Sequence, residues 1–381
     1  MVAGRAGESE GLDEDLRTHL AIDAREWSAQ GTSPEGSTAR GSELVRKTGP
    51  PAAIINKMET LLLTRSEIER LLSPTSVLAA LREAFAAYSS HRSVDSVRIP
   101  VPLPVDDVPE GASGMLLAPG LVPGIPAYSV KVHAKFPGGD PAIRGVLILH
   151  DLATGAPLAV MESSYLTALR TGLAGALGCD VLALPGARSV AIIGAGVQGR
   201  SQLSSLRLVR PIVSVRVLDP SPSARKAFMS DAACSGLDVS VANSVEEVLE
   251  GADVVITATW ERTPFLFRRH LHPGLHITTL GPDQPGKCEV AADVLTTALV
   301  VVDDRQLAVS MGAVRGAGLG SDVIAAELGE VINGTKHGRR NPLQVTVFAS
   351  VGLAFQDLAA GWLAYSLARE QGVGRALNFL G

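Results

Sequence analysis

The sequence predicts an α/β protein whose second half forms a doubly wound parallel sheet. From Ala187 onward, short apolar runs typical of buried strands alternate with helical segments, which is the pattern of parallel sheets. The composition agrees, because aromatic residues make up only 4% of the chain while 39 residues are glycine. Few aromatics and many glycines suit tight turns between strands and helices.

Length, charge and cysteine usage exclude several classes of protein. A chain of 381 residues predicts two or three domains, and its net charge of −5 leaves no basic excess for a nucleic-acid partner. No apolar run approaches the ~20 residues of a membrane span, and the charged N-terminal stretch does not fit a signal peptide. Cys179, Cys234 and Cys288 share no metal-type spacing, so we expect reduced thiols and a cytoplasmic protein.

The first elements are predicted from composition and capping signals. Residues 1–57 are rich in Gly, Ser, Glu and Arg and lack a periodic apolar face, which predicts a poorly ordered N-terminal extension. A strand and a helix follow, and Thr64 with Glu67 forms the capping box of that helix. Ser73 and Pro74 predict the N-cap and first residue of a second helix.

The middle of the chain predicts a β-rich region followed by a long helix. Between residues 97 and 150, short apolar runs are separated by Gly and Pro, and a hairpin is predicted to turn at Thr154-Gly155. The helix is predicted from about Ser163 to Leu182, with leucines repeating along one face.

The second half predicts alternating elements and then helices. The predicted strands are SVAIIG, VSVRVLD, DVSVA, DVVITAT, HITTLG and LVVVDD, with helices between most of them. After Asp304 two segments predict helices, SDVIAAELGEVING and VGLAFQDLAAGWLAYSLAREQGV.

A glycine-rich run predicts a dinucleotide site of the Rossmann type. Gly194, Gly196 and Gly199 form a G-x-G-x-x-G pattern between a predicted strand and a predicted helix, where a pyrophosphate can approach the helix N-terminus. Asp219 closes the next strand, 25 residues after Gly194, where a carboxylate accepts hydrogen bonds from ribose and repels a 2′-phosphate. NAD is therefore the predicted cofactor, while Arg225 nearby keeps NADP open.

The chain resembles the ornithine cyclodeaminase/μ-crystallin family in four separated motifs, GAGVQG, TALRTG, LGPDQPGK and VTVFASVGLAFQD. That family also includes an archaeal-type alanine dehydrogenase and ketimine reductases. The resemblance covers about residues 58–380 and implies a homodimer. It also implies that a Rossmann NAD(P)-binding domain, residues 187–304, is inserted into a discontinuous α+β substrate-binding and dimerisation domain formed by residues 58–186 and 305–381.

The resemblance also implies roles for single residues. Arg98, Lys131 and Arg170 stand where the family binds the substrate carboxylate, and Arg170 also lies beside the cofactor. Asp283 matches the catalytic acid/base and forms the predicted catalytic pair with Lys131, while Val351 matches a position near the substrate. The further positions that match cofactor contacts are Val197, Gln198, Asp219, Thr259, Thr279, Leu280, Lys287 and Ser350, together with the three glycines.

Physical chemistry supports these roles. Three cations around one carboxylate fix the substrate in place, and arginine can do so with two parallel hydrogen bonds. Asp283 follows a predicted strand, at the edge where open α/β sheets bind ligands. A carboxylate there can take the proton of an α-amino group as a hydride leaves, and can return it in reverse. Lys135, on the same strand as Lys131, is a rival for the lysine's role.

Two departures from the family concern the distal end of the substrate. The cyclodeaminase has a Glu that meets the distal amine of ornithine; here Leu116 stands there, with Leu117 next to it. A Thr that lies near the cofactor in the cyclodeaminase corresponds to Val146 in this chain. The acids that the preceding loop offers instead are Asp106, Asp107 and Glu110.

The histidines give weaker signals. His133 lies on the strand face of Lys131, where both a pocket position and a core position are open. His270, His272 and His276 lack metal-ligand spacing, so no metal site is predicted.

Three functions follow, in order of preference. The first is an NAD(P)-dependent oxidoreductase at the C–N bond of a small amino or imino acid, either an imino-acid or ketimine reductase or an amino-acid dehydrogenase. The second is a cyclodeaminase that releases ammonia from ornithine or lysine and recycles NAD. The third is a non-enzymatic binding protein of μ-crystallin type for a nucleotide and a small ligand.

Overall fold

The computed structural model describes residues 59–90, 97–101, 112–136, 139 and 141–379. The predicted N-terminal extension, residues 1–57, lies outside these described residues, as do Asp106, Asp107 and Glu110. None of the described helices is long and apolar enough to cross a bilayer.

The first elements agree with their predicted signals. Strand β1 is Glu59–Leu63 and helix α1 is Arg65–Leu71. At the start of α1, the backbone N–H of Thr64 donates to Glu67 Oε2 at 2.8 Å, which satisfies one free donor of the helix end. Helix α2, Pro74–Ser90, begins at the proline, and the Ser73 hydroxyl accepts from the backbone N–H of Ser76.

A seven-stranded mixed sheet occupies the β-rich region. Its strands after β1 are β2 (Val97–Val101), β3 (Ser113–Gly120), β4 (Ala127–Lys135), β5 (Ile143–Asp151), β6 (Pro157–Glu162) and, at the end of the chain, β15 (Arg375–Asn378). The strand order is β15-β1-β6-β5-β4-β3-β2, and the predicted hairpin joins β5 to β6 with Gly155 at a positive φ of 72°. Helix α3, Ser164–Leu182, follows as predicted.

The second half forms an eight-stranded sheet in which every pair is parallel, in the order β13-β12-β14-β11-β10-β7-β8-β9. The strands are β7 (Ser189–Ile193), β8 (Ser214–Leu218), β9 (Asp238–Val241), β10 (Val254–Thr257), β11 (His276–Thr279), β12 (Leu299–Val302), β13 (Ile324–Glu327) and β14 (Thr346–Ala349). The helices with them are α4 (Val197–Leu206), α5 (Pro222–Met229), α6 (Val245–Leu249), α7 (Ala292–Leu295), α8 (Arg305–Ser310), α9 (Gly312–Gly316) and α10 (Leu328–Ile332). This is the doubly wound arrangement predicted from the sequence.

The sheet extends past residue 304, where the sequence analysis ends the Rossmann domain. The segment SDVIAAELGEVING is not one helix, because Ile324–Glu327 is strand β13 and only Leu328–Ile332 is helical. Thr346–Ala349 is a further central strand between β11 and β12. Four-residue apolar runs carry too little periodicity to separate a buried strand from a buried helix.

The last elements return the chain to the mixed sheet. Helix α11, Ala354–Gln371, packs against β3, β4 and β5, and then β15 pairs with β1. Helix α3 contacts α2, α11 and β5, and also α4, β11 and β14. It therefore joins the two sheets, and the loop after β11 reaches the buried face of β4, where Asp283 binds Lys135.

Candidate active site

Asp283 lies in the loop after β11 and is held by two lysines. The ε-ammonium of Lys287 donates to Asp283 Oδ1 at 2.9 Å, and that of Lys135, on β4, donates to Oδ2. Burial raises the pKa of Asp283, but the charges of Lys135, Lys287 and Arg98 outweigh burial and hold this pKa well below its usual range. The side chain is 25% exposed, so an ionised carboxylate faces an accessible space.

A second carboxylate, Asp357, holds two cations that the sequence analysis assigns to the substrate. Asp357 stands in the first turn of α11, accepts from Lys131 Nζ at 2.7 Å and from Arg170 Nε at 2.9 Å, and is fully buried. Arg170 also donates to Gln356 Oε1 at 2.7 Å. Burial lowers the pKa of Lys131 to about 7, while the charge of Asp357 acts in the opposite direction. Lys131 is therefore a buried lysine paired with Asp357 and not a surface lysine.

Arg98 completes this group of cations from strand β2. Its guanidinium donates to the backbone carbonyl of Val351 at 2.6 Å, and its Nε has no hydrogen-bond partner among the described residues. Arg98 and Lys131 stand in one cross-strand row, with Leu117 between them, so they share a sheet face. Gly352 has φ +84°, and a Cβ there would lie 2.9 Å from Arg170, so glycine gives the guanidinium its room.

The predicted cofactor residues stand at the carboxyl ends of the parallel strands. β7 and β10 are neighbours at the point where the strand order reverses, which is the ligand-binding crevice of such sheets. Gly194, Thr259, Leu280 and Ser350 follow β7, β10, β11 and β14, and Thr279 is the last residue of β11. These residues, which were predicted from the sequence, therefore lie along one edge of the parallel sheet.

The glycine-rich turn has the shape of a phosphate cradle. Gly194 has φ +106°, and a Cβ there would lie 2.4 Å from the carbonyl oxygen of Ala258. Gly196 is the N-cap of α4 and faces open space, while a Cβ at Gly199 would lie 2.0 Å from the carbonyl oxygen of Gly194. Val197 and Gln198 open α4, and Gln198 Oε1 is buried without a partner among the described residues.

Asp219 adjoins this turn at the end of β8. Its Oδ2 accepts from the backbone N–H of Ala195 and its Oδ1 from that of Ser221, each at 2.8 Å. Arg225 donates to the backbone carbonyl of Asp219 at 3.1 Å, so the carboxylate stays free of this arginine. The residues present fit a dinucleotide, with an acid oriented at the ribose position.

Comparison with known proteins identifies the family of the chain. The ornithine cyclodeaminase/mu-crystallin family profile matches residues 58–372. The chain belongs to this family.

This chain matches two curated relatives over almost the whole length of each relative. An alanine dehydrogenase of Archaeoglobus fulgidus is 34% identical over 327 residues, covering 84% of this chain and 99% of that protein. A Δ1-pyrroline-2-carboxylate reductase of Bacillus cereus is 30% identical over 330 residues, covering 84% of this chain and 100% of that protein.

Two solved structures have the same fold. An archaeal alanine dehydrogenase dimer with bound NAD gives a TM-score of 0.77 at 33% identity, covering 84% of this chain and 100% of that chain. The Δ1-pyrroline-2-carboxylate reductase of Thermococcus litoralis with NADH and L-proline gives 0.76 at 30% identity, with the same coverage. This family member therefore has the fold class predicted from its sequence.

The structure corrects the position of Leu116. This residue pairs with Ile99 and Val132 on the outer face of the mixed sheet, away from Arg98 and Lys131. Leu117 is the residue that stands in the row of the cations. Val146 is also on the outer face, opposite Val132. The apolar wall next to Lys131 is therefore formed by Leu117.

Three buried carboxylates that were not predicted from the sequence organise the site. Asp357 accepts from Lys131 and Arg170. Glu289 accepts from Thr257, Thr259 and Thr279 hydroxyls and from the backbone of Gly281. Asp303, after β12, accepts from Ser350 and from the backbone of Val351. The signal for all three is an acid inside or directly beside an apolar run.

The three spaced histidines have hydrogen-bond partners in the structure. His270 binds the backbone of Phe267, His272 the carbonyl of Ala252, and His276 the hydroxyls of two threonines. Within the residues that the structure describes, no group of three or more His, Cys, Asp or Glu is placed to hold a metal ion.

Proposed function

We propose that the protein is an NAD-dependent oxidoreductase acting at the C–N bond of a small amino or imino acid. The observation that carries this proposal is the juxtaposition of two charge clusters beside the crevice of the parallel sheet. One cluster presents Asp283, and the other presents Lys131 and Arg170. Lys131 binds Asp357 and Lys135 binds Asp283, and the two lysines share the buried face of β4, so the two clusters are neighbours on that strand.

The cofactor is assigned to the glycine turn and to the strand ends. Gly194, Gly196 and Gly199 receive the pyrophosphate at the N-terminus of α4, and Asp219 receives the ribose hydroxyls. Bound NAD supplies a hydride acceptor at its nicotinamide ring. The other assigned contacts are Val197, Gln198, Thr259, Thr279, Leu280, Lys287, Ser350 and Arg170.

The substrate is oriented by its α-carboxylate. Arg98, Lys131 and Arg170 bind this group, and Val351 lines the space next to it. The α-amino group then faces Asp283. In oxidation, the α-ammonium group first gives a proton to Asp283. The Cα–H bond then breaks with its electron pair leaving as hydride, and the C–N bond becomes the C=N bond of an iminium ion.

The ionisation of Asp283 sets the protonation state for the reverse direction. Because its pKa is held low, Asp283 is ionised at neutral pH. An imino acid is therefore best received as its protonated iminium form, whose positive charge Asp283 stabilises. The incoming hydride then yields the neutral amine, which regains through Asp283 the proton that it loses in the oxidation.

Absorbance of the reduced nicotinamide tests this function. The purified chain with NADH is expected to oxidise it in the presence of cyclic imines, or of a 2-oxo acid with ammonium, and to reduce NAD with the matching amino acid. No change in absorbance in either direction across such a panel would overturn the proposal.

The cyclodeaminase alternative predicts a different readout. It requires ammonia release from ornithine or lysine without net formation of NADH. A distal ammonium needs an acceptor, whereas Leu117 and Met115 occupy the described wall beside Lys131 and His133. The binding-protein alternative predicts no turnover, and the retained Asp283 cluster counts against it.

The homodimer is also a proposal, based on the outer face of the mixed sheet. Ile99, Leu116, Val132 and Val146 form one cross-strand row of apolar side chains there, and three of them are exposed. Exposed apolar residues in a contiguous row are typical of a protein interface. A second copy of this chain packed on this face would cover the row.

A cytoplasmic location is proposed from the thiols. Cys179, Cys234 and Cys288 are free and buried, and burial raises the pKa of Cys179 to about 12. Buried, protonated thiols suit a reducing compartment.

A further inference from the structure

Lys135 is a buried cation that the assigned roles leave unused. It stands four residues after Lys131 on the same face of β4, and only 3% of it is exposed. Its ammonium donates to Asp283, and it lies 5.5 Å from the centre of the Trp260 ring. Its strand face and its contact with Asp283 place it at the border of the substrate space.

The positive charge around Asp283 exceeds the charge of this one carboxylate. Lys135 and Lys287 each donate to one of its oxygens. Each carboxylate oxygen can accept a further hydrogen bond, so a substrate amine that binds Asp283 adds a third positive charge to the same group. A buried ammonium whose charge is not balanced is costly. Lys287 lies 4.1 Å from the centre of the Trp260 ring and Lys135 lies farther from it, at 5.5 Å, so another anion is expected to balance Lys135.

The second cluster does not supply that anion. The single charge of Asp357 is already shared by Lys131 and Arg170, and Arg98 donates to the neutral carbonyls of Val351 and Gly352. The α-carboxylate of a substrate balances the charge of this cluster only. A second carboxylate would balance the charge of Lys135.

Two buried nitrogen atoms without partners lie on residues that neighbour Lys135 and Asp283 in the chain. His133 lies between Lys131 and Lys135 on the strand and is 6% exposed, and its Nδ1 has no hydrogen-bond partner in the described part of the chain. Burial, followed by the charges of the two lysines, lowers the pKa of His133 to about 3, so the ring is neutral. Gln284 Nε2, next to Asp283, is likewise buried without a partner there. A carboxylate offers the acceptors that such groups need.

We propose that Lys135, with His133, binds a second carboxylate of the substrate, so that the protein acts on dicarboxylic α-amino acids and their α-imino acids. This inference rests on the proposed oxidoreductase function and names its substrate class. Leu117 and Met115 agree with it, because they offer no acceptor to a distal ammonium.

Matched substrate pairs test the inference. Aspartate and 2-aminobutyrate differ only in a carboxylate against a methyl group, as do glutamate and norvaline with one more carbon. With the full chain and NAD, kcat/KM for the better dicarboxylic member is expected to exceed that of its partner by about tenfold or more. Succinate is expected to inhibit more strongly than butyrate at the same pH, which reports binding without turnover.

A variant at Lys135 isolates the residue. Lys135→Met is expected to lower the ratio of dicarboxylic to monocarboxylic kcat/KM by about 100-fold. The ratio cancels any loss of activity common to both substrates. Lys135→Arg retains the charge and most of the ratio. Lys336→Met, at an exposed lysine, leaves the ratio unchanged.

The outcomes separate the two proposals. If alanine or 2-aminobutyrate is oxidised and the dicarboxylic acids are not preferred, the substrate class is wrong and the oxidoreductase function stands. An unchanged ratio in Lys135→Met overturns the role of Lys135. If no amino or imino acid changes the nicotinamide absorbance, both proposals fail.

Discussion

Asp283 and Asp357 have similar charged surroundings but different roles in the site. Asp283 and Asp357 each bind two cations, but Asp283 is partly accessible whereas Asp357, in the first turn of α11, is fully buried. An accessible carboxylate can exchange a lysine for a substrate amine. A sealed one can only orient the cations that hold it. We therefore assign proton chemistry to Asp283 and the positioning of the carboxylate-binding cations to Asp357.

The variant Asp283→Asn tests the first of these roles. The amide keeps the size of the side chain but cannot accept a proton, so turnover is expected to fall by about 10³-fold. NADH affinity, measured by fluorescence titration, is expected to stay within about threefold, because the glycine turn and Asp219 are untouched. Weakened NADH binding with normal turnover would contradict the assignment.

The variant Asp357→Asn tests the positioning role through pH. Binding of the substrate carboxylate needs protonated Lys131, whose pKa is about 7, so kcat/KM of the native protein is expected to fall as pH rises through this value. Asp357 raises that pKa, so its loss moves the fall to lower pH. The variant is also expected to lose about 3 kcal/mol of unfolding free energy, because two buried cations lose their partner.

A matched control and a contrary outcome complete this test. Asp238→Asn removes an exposed carboxylate and is expected to leave both the pH profile and stability unchanged. A loss of stability in Asp357→Asn without any shift of the pH profile would make Asp357 a purely structural residue.

At the scale of elements, Glu289 ties the ends of two central strands to the active-site loop. Its carboxylate collects the hydroxyls of Thr257 and Thr279, from β10 and β11, and the backbone N–H groups of Thr259 and Gly281. Thr259 and Thr279 are both assigned to the cofactor. One buried acid therefore fixes the edge on which the nicotinamide end of the cofactor is proposed to bind.

Glu289→Gln is expected to weaken both the edge and the cofactor site. The NH₂ group of glutamine is itself a donor, so it cannot accept the hydrogen bonds that the threonine hydroxyls and backbone N–H groups donate to Glu289. The free energy of unfolding in urea is therefore expected to fall by about 2 to 3 kcal/mol. KM for NADH is expected to rise several-fold. Glu370→Gln, at an exposed position on α11, serves as the control. An unchanged KM for NADH would show that Glu289 supports only the sheet.

The elements show what local sequence could and could not predict. The glycine turn, α3 and the strands up to β12 have strong local signals, and their order gave the parallel sheet. Strand β13 was predicted as helix because its four residues pair only with β12, and that pairing is a tertiary contact. Asp283 was found because a motif surrounds it, whereas the importance of Asp357 depends on Lys131, which is 226 residues away in the chain.

At the scale of the molecule, the two faces of the mixed sheet have different tasks. The inner face of β4 carries Lys131, His133 and Lys135 toward α11 and the parallel sheet. The outer face of the same strand carries Val132, which lies between Lys131 and His133 in the sequence. Because side chains alternate along a strand, one strand serves both the site and the proposed interface.

A charge on the outer face tests whether the chain dimerises there. Val132 is 44% exposed and lies between Leu116 and Val146 in the apolar row. Val132→Glu is expected to convert a dimer into a monomer in light scattering after gel filtration, because a buried unpaired carboxylate at an interface costs several kcal/mol. Leu343→Glu, at a 70% exposed residue, is the control and keeps the native mass. If Val132→Glu is folded by circular dichroism and still elutes as a dimer, the interface lies elsewhere on the molecule. Because Val132 adjoins Lys131, a monomer with reduced kcat/KM would further indicate that dimer contacts stabilise the strand on which the cations stand.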